Sequence, residues 1–261
     1  MSKKILVVND LHVGGNVGLC PDEVYFEKHD EDRRSSYRAN KIQNFLFKQW
    51  ENMIDEVGNV DILLCNGDLV DGKNKKANGL EMWTTDVDVQ TDVASDLLSM
   101  IKHKKAYGTH GSGYHVESNV SLDKLAMKHT AKLNFNDNIA ITVDKIRIHA
   151  AHFIGNNVQY KSTPIAREIL MGELNKLDYG KIDIYLRAHI HSYIAVDSEI
   201  GTGIVSPGFK GRDGFVSQRS LAYNPSIGYI LIEINDSNYS WTKSITHLRG
   251  NKAIPSYTYK E

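Results

Sequence analysis

Five times along this chain a short apolar run ends in a cluster of Asp, His, Asn or Gly. The clusters are Asn9-Asp10-Leu11-His12, Asn66-Gly67-Asp68, Gly108-Thr109-His110, His149-Ala150-Ala151-His152 and Ala188-His189-Ile190-His191. One such ending carries little meaning, because an Asp after a strand is usually a turn or a cap. Five in order read as strand ends converging on one place. In open α/β sheets ligands sit just beyond the carboxyl ends of the strands. Carboxylate and imidazole together suit hard or borderline divalent ions.

The order of elements supports that placement. Ile5–Val8 and Asp61–Cys65 are β-branched or apolar runs of strand length, and a short strand over Lys104–Tyr107 ends at Gly108. Ile42, Phe45, Leu46, Trp50, Met53, Ile54 and Val57 recur at helical spacing from about Ser36, and Gly58 stops that helix. Residues 13–34 read as a long loop and Gly72–Asn78 as a polar one. Helices are predicted near 89–102, near 120–131, and from Thr163-Pro164 to about Leu177, with Pro at its first position. Ile139–Val143 and Ile146–Ala150 form a hairpin across Asp144-Lys145, Ile182–Leu186 is another strand, and several strands follow to about Thr246. Helices and strands alternate first and strands dominate later. This predicts an α/β layered domain whose second sheet comes mostly from the C-terminal part. The 261 residues are read as a single domain, 1–261.

Composition narrows the class. A net charge of −1 gives no global signature of a nucleic-acid binder. Cys20 and Cys65 have no metal-ribbon spacing and point to a reducing compartment. The N-terminal apolar run is too short for a signal peptide, and no stretch approaches the roughly 20 residues of a membrane span. The expectation is a cytoplasmic protein with no membrane partner.

Within the clusters, Asp10 and His12 are two apart, as are His189 and His191, and in extended chain such residues point the same way. Asp68 follows Gly67 in a tight turn, and its two oxygens would let it bridge two ions. His152 is chosen over His149, because it shares the parity of Ile146 and Ile148 and lies nearest the strand's end. His149 is read as structural.

As a set, Asp10-Leu-His12, Gly67-Asp68, Gly108-Thr109-His110, His152 and Ala188-His189-Ile-His191 resemble the calcineurin-like metallophosphoesterases, whose motifs run Asp-x-His, Gly-Asp, Gly-Asn-His, His, Gly-His-x-His. The resemblance spans about residues 5–195, and residues 10–21 and 67–126 look most like a phage or prophage branch. It implies a four-layer sandwich, two mixed β-sheets flanked by helices. It implies two divalent ions, manganese foremost, with iron, zinc or magnesium as alternatives. Asp10, His12 and His191 would hold one ion, His152 and His189 the other, with Asp68 between them. The implied activity is hydrolysis of a phosphodiester, DNA included, by hydroxide that the ions activate. The alternatives are a phosphomonoesterase, or a scaffold of the same fold that binds metal without catalysis.

Two positions depart from the family pattern. Ala188 replaces a Gly, and Thr109 replaces the Asn that normally binds the second ion. His110 occupies the place of the catalytic His, and His115 five residues later is the other candidate for the general acid. Glu117 and Asn119 are candidates for the missing ligand, and Asp71 could orient a ligand His. Lys73, Lys75, Lys76, Lys210, Arg212 and Arg219 could meet a nucleic-acid backbone, and Tyr114 or Trp83 a base. A second copy of the chain or a partner subunit is compatible with all of this.

Overall fold

The structure is a computed structural model and describes residues 2–28, 31–74, 79–113, 116–117, 120–155, 160–212 and 225–248. In chain order the elements begin with β1 (Lys3–Val8), β2 (Glu23–Lys28), β3 (Glu31–Arg38), α1 (Lys41–Val57), β4 (Val60–Asn66), α2 (Val87–Ser99) and β5 (His103–Thr109). Then come β6 (Val116–Glu117), β7 (Val120–Ser121), α3 (Leu122–Ala126), β8 (Asn134–Asn136), β9 (Asn138–Val143) and β10 (Ile146–Ala151). The last are α4 (Thr163–Leu174), α5 (Lys176–Tyr179), β11 (Ile184–Arg187), β12 (Ile194–Ser198), β13 (Gly201–Val205), β14 (Ile227–Asn235) and β15 (Asn238–Thr246).

Two mixed sheets stack face to face. The first has the order β15-β14-β1-β4-β5-β8 and the second β12-β13-β11-β10-β9. β1, β4, β5 and β8 run parallel, so their carboxyl ends share one edge. β10 and β11 run parallel in the second sheet.

Alternation along β1 explains the layers. Ile5 and Val7 face the second sheet with Ile62, Leu64, Ile148, Leu186 and Ile232. Leu6 and Val8 face the other way, onto Leu46, Trp50, Met53, Val93 and Leu97 of α1 and α2. A strand buried on both faces reads as a continuous apolar run. On the far side, Ile165 and Ile169 of α4 cover Tyr185 and Val205 of the second sheet. The result is the four-layer sandwich expected from the sequence. Each large side chain taken out of water contributes roughly 1.5–3 kcal/mol.

Several local expectations need correction. Glu23–Lys28 and Glu31–Arg38 are not loop but paired antiparallel strands. Phe26 and Tyr37 of these strands pack against Trp83, with the Tyr37 and Trp83 rings stacked at 4.6 Å. The abundance of charge in this segment hid an alternating pattern. Helix α1 begins at Lys41 rather than near Ser36, because Asn40 makes a capping box with Gln43. The helix near 120 is confined to Leu122–Ala126, and the one ending near Leu177 breaks at Asn175 into α4 and α5. The C-terminal strands also divide. β12 and β13 join the second sheet, while β14 and β15 return to the first and pair with β1. Among the described residues no helix is long and apolar enough to cross a membrane.

Candidate metal centre

The carboxyl ends of β1, β4, β10 and β11 meet. Asp10 N donates to Gly67 O at 3.0 Å, His12 N to Asp68 O at 3.1 Å, and Ala188 N to His152 O at 2.9 Å. Asn66 Nδ2 reaches Ala151 O at 3.1 Å, which ties the two sheets together at this edge. The contacts bring six side chains into two groups, Asp10 with His12 and His191, and Asp68 with His152 and His189. The candidate ligand atoms of each group all lie within 4.8 Å of one another.

How these residues are aimed differs from the extended-strand argument. β1 ends at Val8 and β11 at Arg187, so neither pair lies in a strand. Asp10, His12, Asp68, His189 and His191 have φ of 51°, 46°, 53°, 74° and 46°. A non-glycine residue rarely adopts the left-handed region, and such residues gather at functional sites. Five of the six do so here, and His152 is the exception.

Each carboxylate turns one oxygen inward. Asp10 Oδ2 accepts from Asn9 Nδ2 at 2.7 Å and His189 N at 3.2 Å. Asp10 Oδ1 lies 3.3 Å from His191 Nε2, 3.8 Å from His12 Nε2 and 4.0 Å from His152 Nε2. Asp68 Oδ1 accepts from Ser112 N at 2.6 Å, while Oδ2 lies 3.1 Å from His152 Nε2 and 3.8 Å from His12 Nε2. A single Asp68 oxygen therefore faces both groups.

The imidazoles are set the same way. Asp71 Oδ1 lies 2.8 Å from His12 Nδ1, and Asn66 O lies 2.7 Å from His152 Nδ1. These acceptors hold a proton on each Nδ1 and turn each Nε2 inward, an arrangement typical of metal ligands. His12 Nε2 and His191 Nε2 approach to 3.3 Å. Asp10 Oδ1, His152 Nε2 and His189 Nδ1 are buried with no well-directed hydrogen-bond partner among the described residues. Buried polar atoms are normally satisfied. Convergent, unsatisfied N and O donors fit divalent ions.

The electrostatics are those of a crowded, dry site. Burial pushes the Asp10 carboxyl up, but the His191 and His152 imidazoles outweigh it and bring it down to about 2. Burial opposes charge on His152, yet Asp68 and Asp10 hold it up to about 10. Burial, followed by the charge of Lys210, lowers His12 to about 4. Burial and then His152 lower His189.

The third strand end behaves differently. Thr109 is buried and its Oγ1 donates to Asn66 Oδ1 at 2.7 Å, so its hydroxyl faces Asn66 rather than the two groups. The His110 ring packs edge-on against Phe135 at 4.6 Å and lies 3.7 Å from Asp137, outside both groups. His115, Tyr114, Asn119, Lys75, Lys76 and Arg219 lie outside the described residues, as does the Glu117 side chain. His149 sits against Tyr185, away from the centre, as a structural residue would. Phe209 N donates to Asp10 O at 3.0 Å, which brings Lys210 next to the centre.

Sequence reasoning missed Ser112 and Asp123. Ser112 stood between two glycines and looked like loop. Asp123 looked like an ordinary acid in the first turn of a helix.

Residues 3–112 match the family model for calcineurin-like phosphoesterases. The family model ends before His152, His189 and His191, which the fold brings to the residues inside it. No curated protein matches the chain by sequence. Among solved structures it is similar to zinc-bound Vps29 of Entamoeba histolytica, with 16% identity over 94% of this chain and 98% of that one and a TM-score of 0.48. An archaeal phosphodiesterase gives 12% identity, 92% and 99% coverage and a TM-score of 0.47. A predicted phosphoesterase of Streptococcus pneumoniae gives 13% identity, 94% and 90% coverage and 0.43.

Proposed function

We propose that this chain is a calcineurin-like phosphoesterase that hydrolyses phosphodiesters, DNA included, with two divalent ions as cofactors and manganese as the first candidate. The observation that supports it is the pair of ligand groups with inward, unsatisfied donors. Asp10, His12 and His191 would hold one ion and Asp68, His152 and His189 the other. Bound there, the ions would neutralise phosphoryl oxygens and activate water.

The chain's own residues do the rest. Asp71 and the Asn66 carbonyl orient the two imidazoles. Lys210, beside Asp10 and His12, supplies positive charge at the rim, which suits the backbone of a diester. A protonated His would deliver the proton to the leaving oxygen. His110 and His115 are the candidates, and the engagement of His110 with Phe135 and Asp137 favours His115.

The test is hydrolysis of bis(p-nitrophenyl) phosphate, p-nitrophenyl phosphate and single-stranded DNA with added manganese. We expect the diesters to be preferred and Asp68→Ala to abolish turnover. Failure of the wild type with every divalent metal, or full activity in Asp68→Ala, would sink the assignment. His110→Gln and His115→Gln made singly identify the acid, as only its loss removes the alkaline limb of the pH profile.

A metal-binding scaffold without catalysis is the second reading, favoured by one observation. Thr109 stands where the family has a ligand, and its hydroxyl is turned to Asn66. Bound metal without turnover on any phosphoester would support it.

A further inference from the structure

One buried acid near the centre is neither a candidate ligand nor a cap. Asp123 lies in the first turn of α3, where the capping bond is instead donated by Lys124 N to Ser121 Oγ. Asp123 Oδ1 accepts the N–H of Leu69 at 2.8 Å, and Oδ2 accepts the N–H of Gly111 at 2.7 Å. The donors belong to different loops, one after β4 and one after β5. Leu69 directly follows Asp68, and Gly111 directly precedes Ser112.

The two loops touch at the Asp68 carboxylate. Ser112 N donates to Asp68 Oδ1 at 2.6 Å, and Ser112 Oγ lies 3.2 Å from both oxygens. A Cβ on Gly111 would fall 2.0 Å from Asp68 Oδ1 and 2.9 Å from Asp123 Oδ2, so only glycine permits the approach. Gly67 and Asp68 both hold positive φ, a turn that needs outside support.

We infer that Asp123 is a positioning residue for the metal centre. It clamps the two loops so that the Ser112 N–H occupies Asp68 Oδ1 and Oδ2 stays turned toward His152 and His12, one from each ligand group. This rests on the two-ion reading above. Two backbone N–H groups need two acceptor oxygens. In Asp123→Asn one of those oxygens becomes an NH2 donor, which faces an N–H and releases one loop.

The test is a manganese titration of the full-length protein followed by electron paramagnetic resonance. Thermal unfolding of the same samples is followed by circular dichroism. With two equivalents the wild type should show an exchange-coupled pair. Asp123→Asn should stay folded, bind its second ion about ten- to a hundredfold more weakly, and show uncoupled manganese. Its kcat on bis(p-nitrophenyl) phosphate should fall with little change in KM. Ser112→Ala keeps the backbone donor and should lose much less. Asp123→Asn with a lowered melting temperature but wild-type second-ion affinity and coupling overturns the inference, since a merely structural bond would do just that. Should Asp123→Asn not fold, Gly111→Ala disturbs the same contact from the other loop, and intact coupling there overturns it equally. A wild type that binds no ion pair fails the proposed function itself, a different result from a wild type that passes beside an unaffected variant.

Discussion

Replacing Asp71 by Asn tests whether the two ion positions are separately built. Its carboxylate oxygen lies 2.8 Å from His12 Nδ1, and His12 is buried. With that acceptor present, the ring keeps its proton on Nδ1 and turns the Nε2 lone pair toward Asp10 Oδ1 and His191 Nε2. Asn has nearly the same shape, which matters because a Cβ added to Gly15 would already lie 2.7 Å from Asp71 Oδ2. What is lost is the charge on the acceptor: the amide oxygen can still accept from Nδ1, but a bond of about 1.5–3 kcal/mol falls to one of about 0.5–1.5 kcal/mol. Removing a group that orients a metal ligand typically weakens binding by about ten- to a hundredfold. At about 1.4 kcal/mol per decade that is about 1.4–2.8 kcal/mol, and the weakened hydrogen bond matches the lower end of that range. The loss should fall on the ion held by Asp10, His12 and His191. His152 is oriented by the Asn66 carbonyl and has no share in Asp71. Isothermal titration of manganese should resolve one weakened site and one unchanged site. Equal weakening of both sites, or no change in either, would refute the reasoning.

Three further outcomes follow from the same geometry. Gly67→Ala places a methyl 2.7 Å from His152 Nδ1 and from Gly111 Cα at a φ of 80°. It should cost at least about 1–2 kcal/mol of stability from backbone conformation alone, seen in denaturant unfolding, and should lower metal content. His152 is held protonated up to about pH 10 without metal. Ion binding at pH 7 should therefore release a proton and tighten as pH rises. Calorimetry in buffers of different ionisation enthalpy measures this, and a buffer-independent heat would contradict it. His149 is pushed by burial, then by Arg187, from 6.5 down to about 4. The native state thus refuses a proton that the unfolded chain accepts, so stability is full above about pH 6.5 and falls as pH drops toward 4. His149→Gln should flatten that part of the melting-temperature profile, and an identical slope would exclude His149 as its source.

The candidate ligands were legible because strand ends leave chemistry in order along the chain. Asp10, His12, Asp68, His152, His189 and His191 were chosen from their places at strand ends and from the family resemblance, and the fold brings all six together. The reason given for their aim was less sound. Parity along an extended strand does not orient Asp10 or His191, which sit past the strands in left-handed turns. Glycine announces such a turn most clearly, and Asp and His favour it only weakly. Ser112 and Asp123 were illegible for another reason. They act through backbone N–H groups brought from elsewhere in the chain, which leave no mark in composition or spacing. The β2–β3 pair was lost among charges, though Phe26 and Tyr37 carry its packing.

The return of β14 to the first sheet also bears on how the chain reaches this state. Ile5 pairs with Ile232 on one side of β1 and with Ile62 on the other. Half the partners of the first strand are thus synthesised more than two hundred residues after it. Pairings so distant slow folding, because the loop must close before the contact rewards it. Until β14 arrives, β1 presents an open edge of unpaired N–H and C=O groups in an apolar strand, a template for another chain. Aggregation of a nascent or truncated chain should therefore begin at β1, the strand that leads directly into Asp10 and His12.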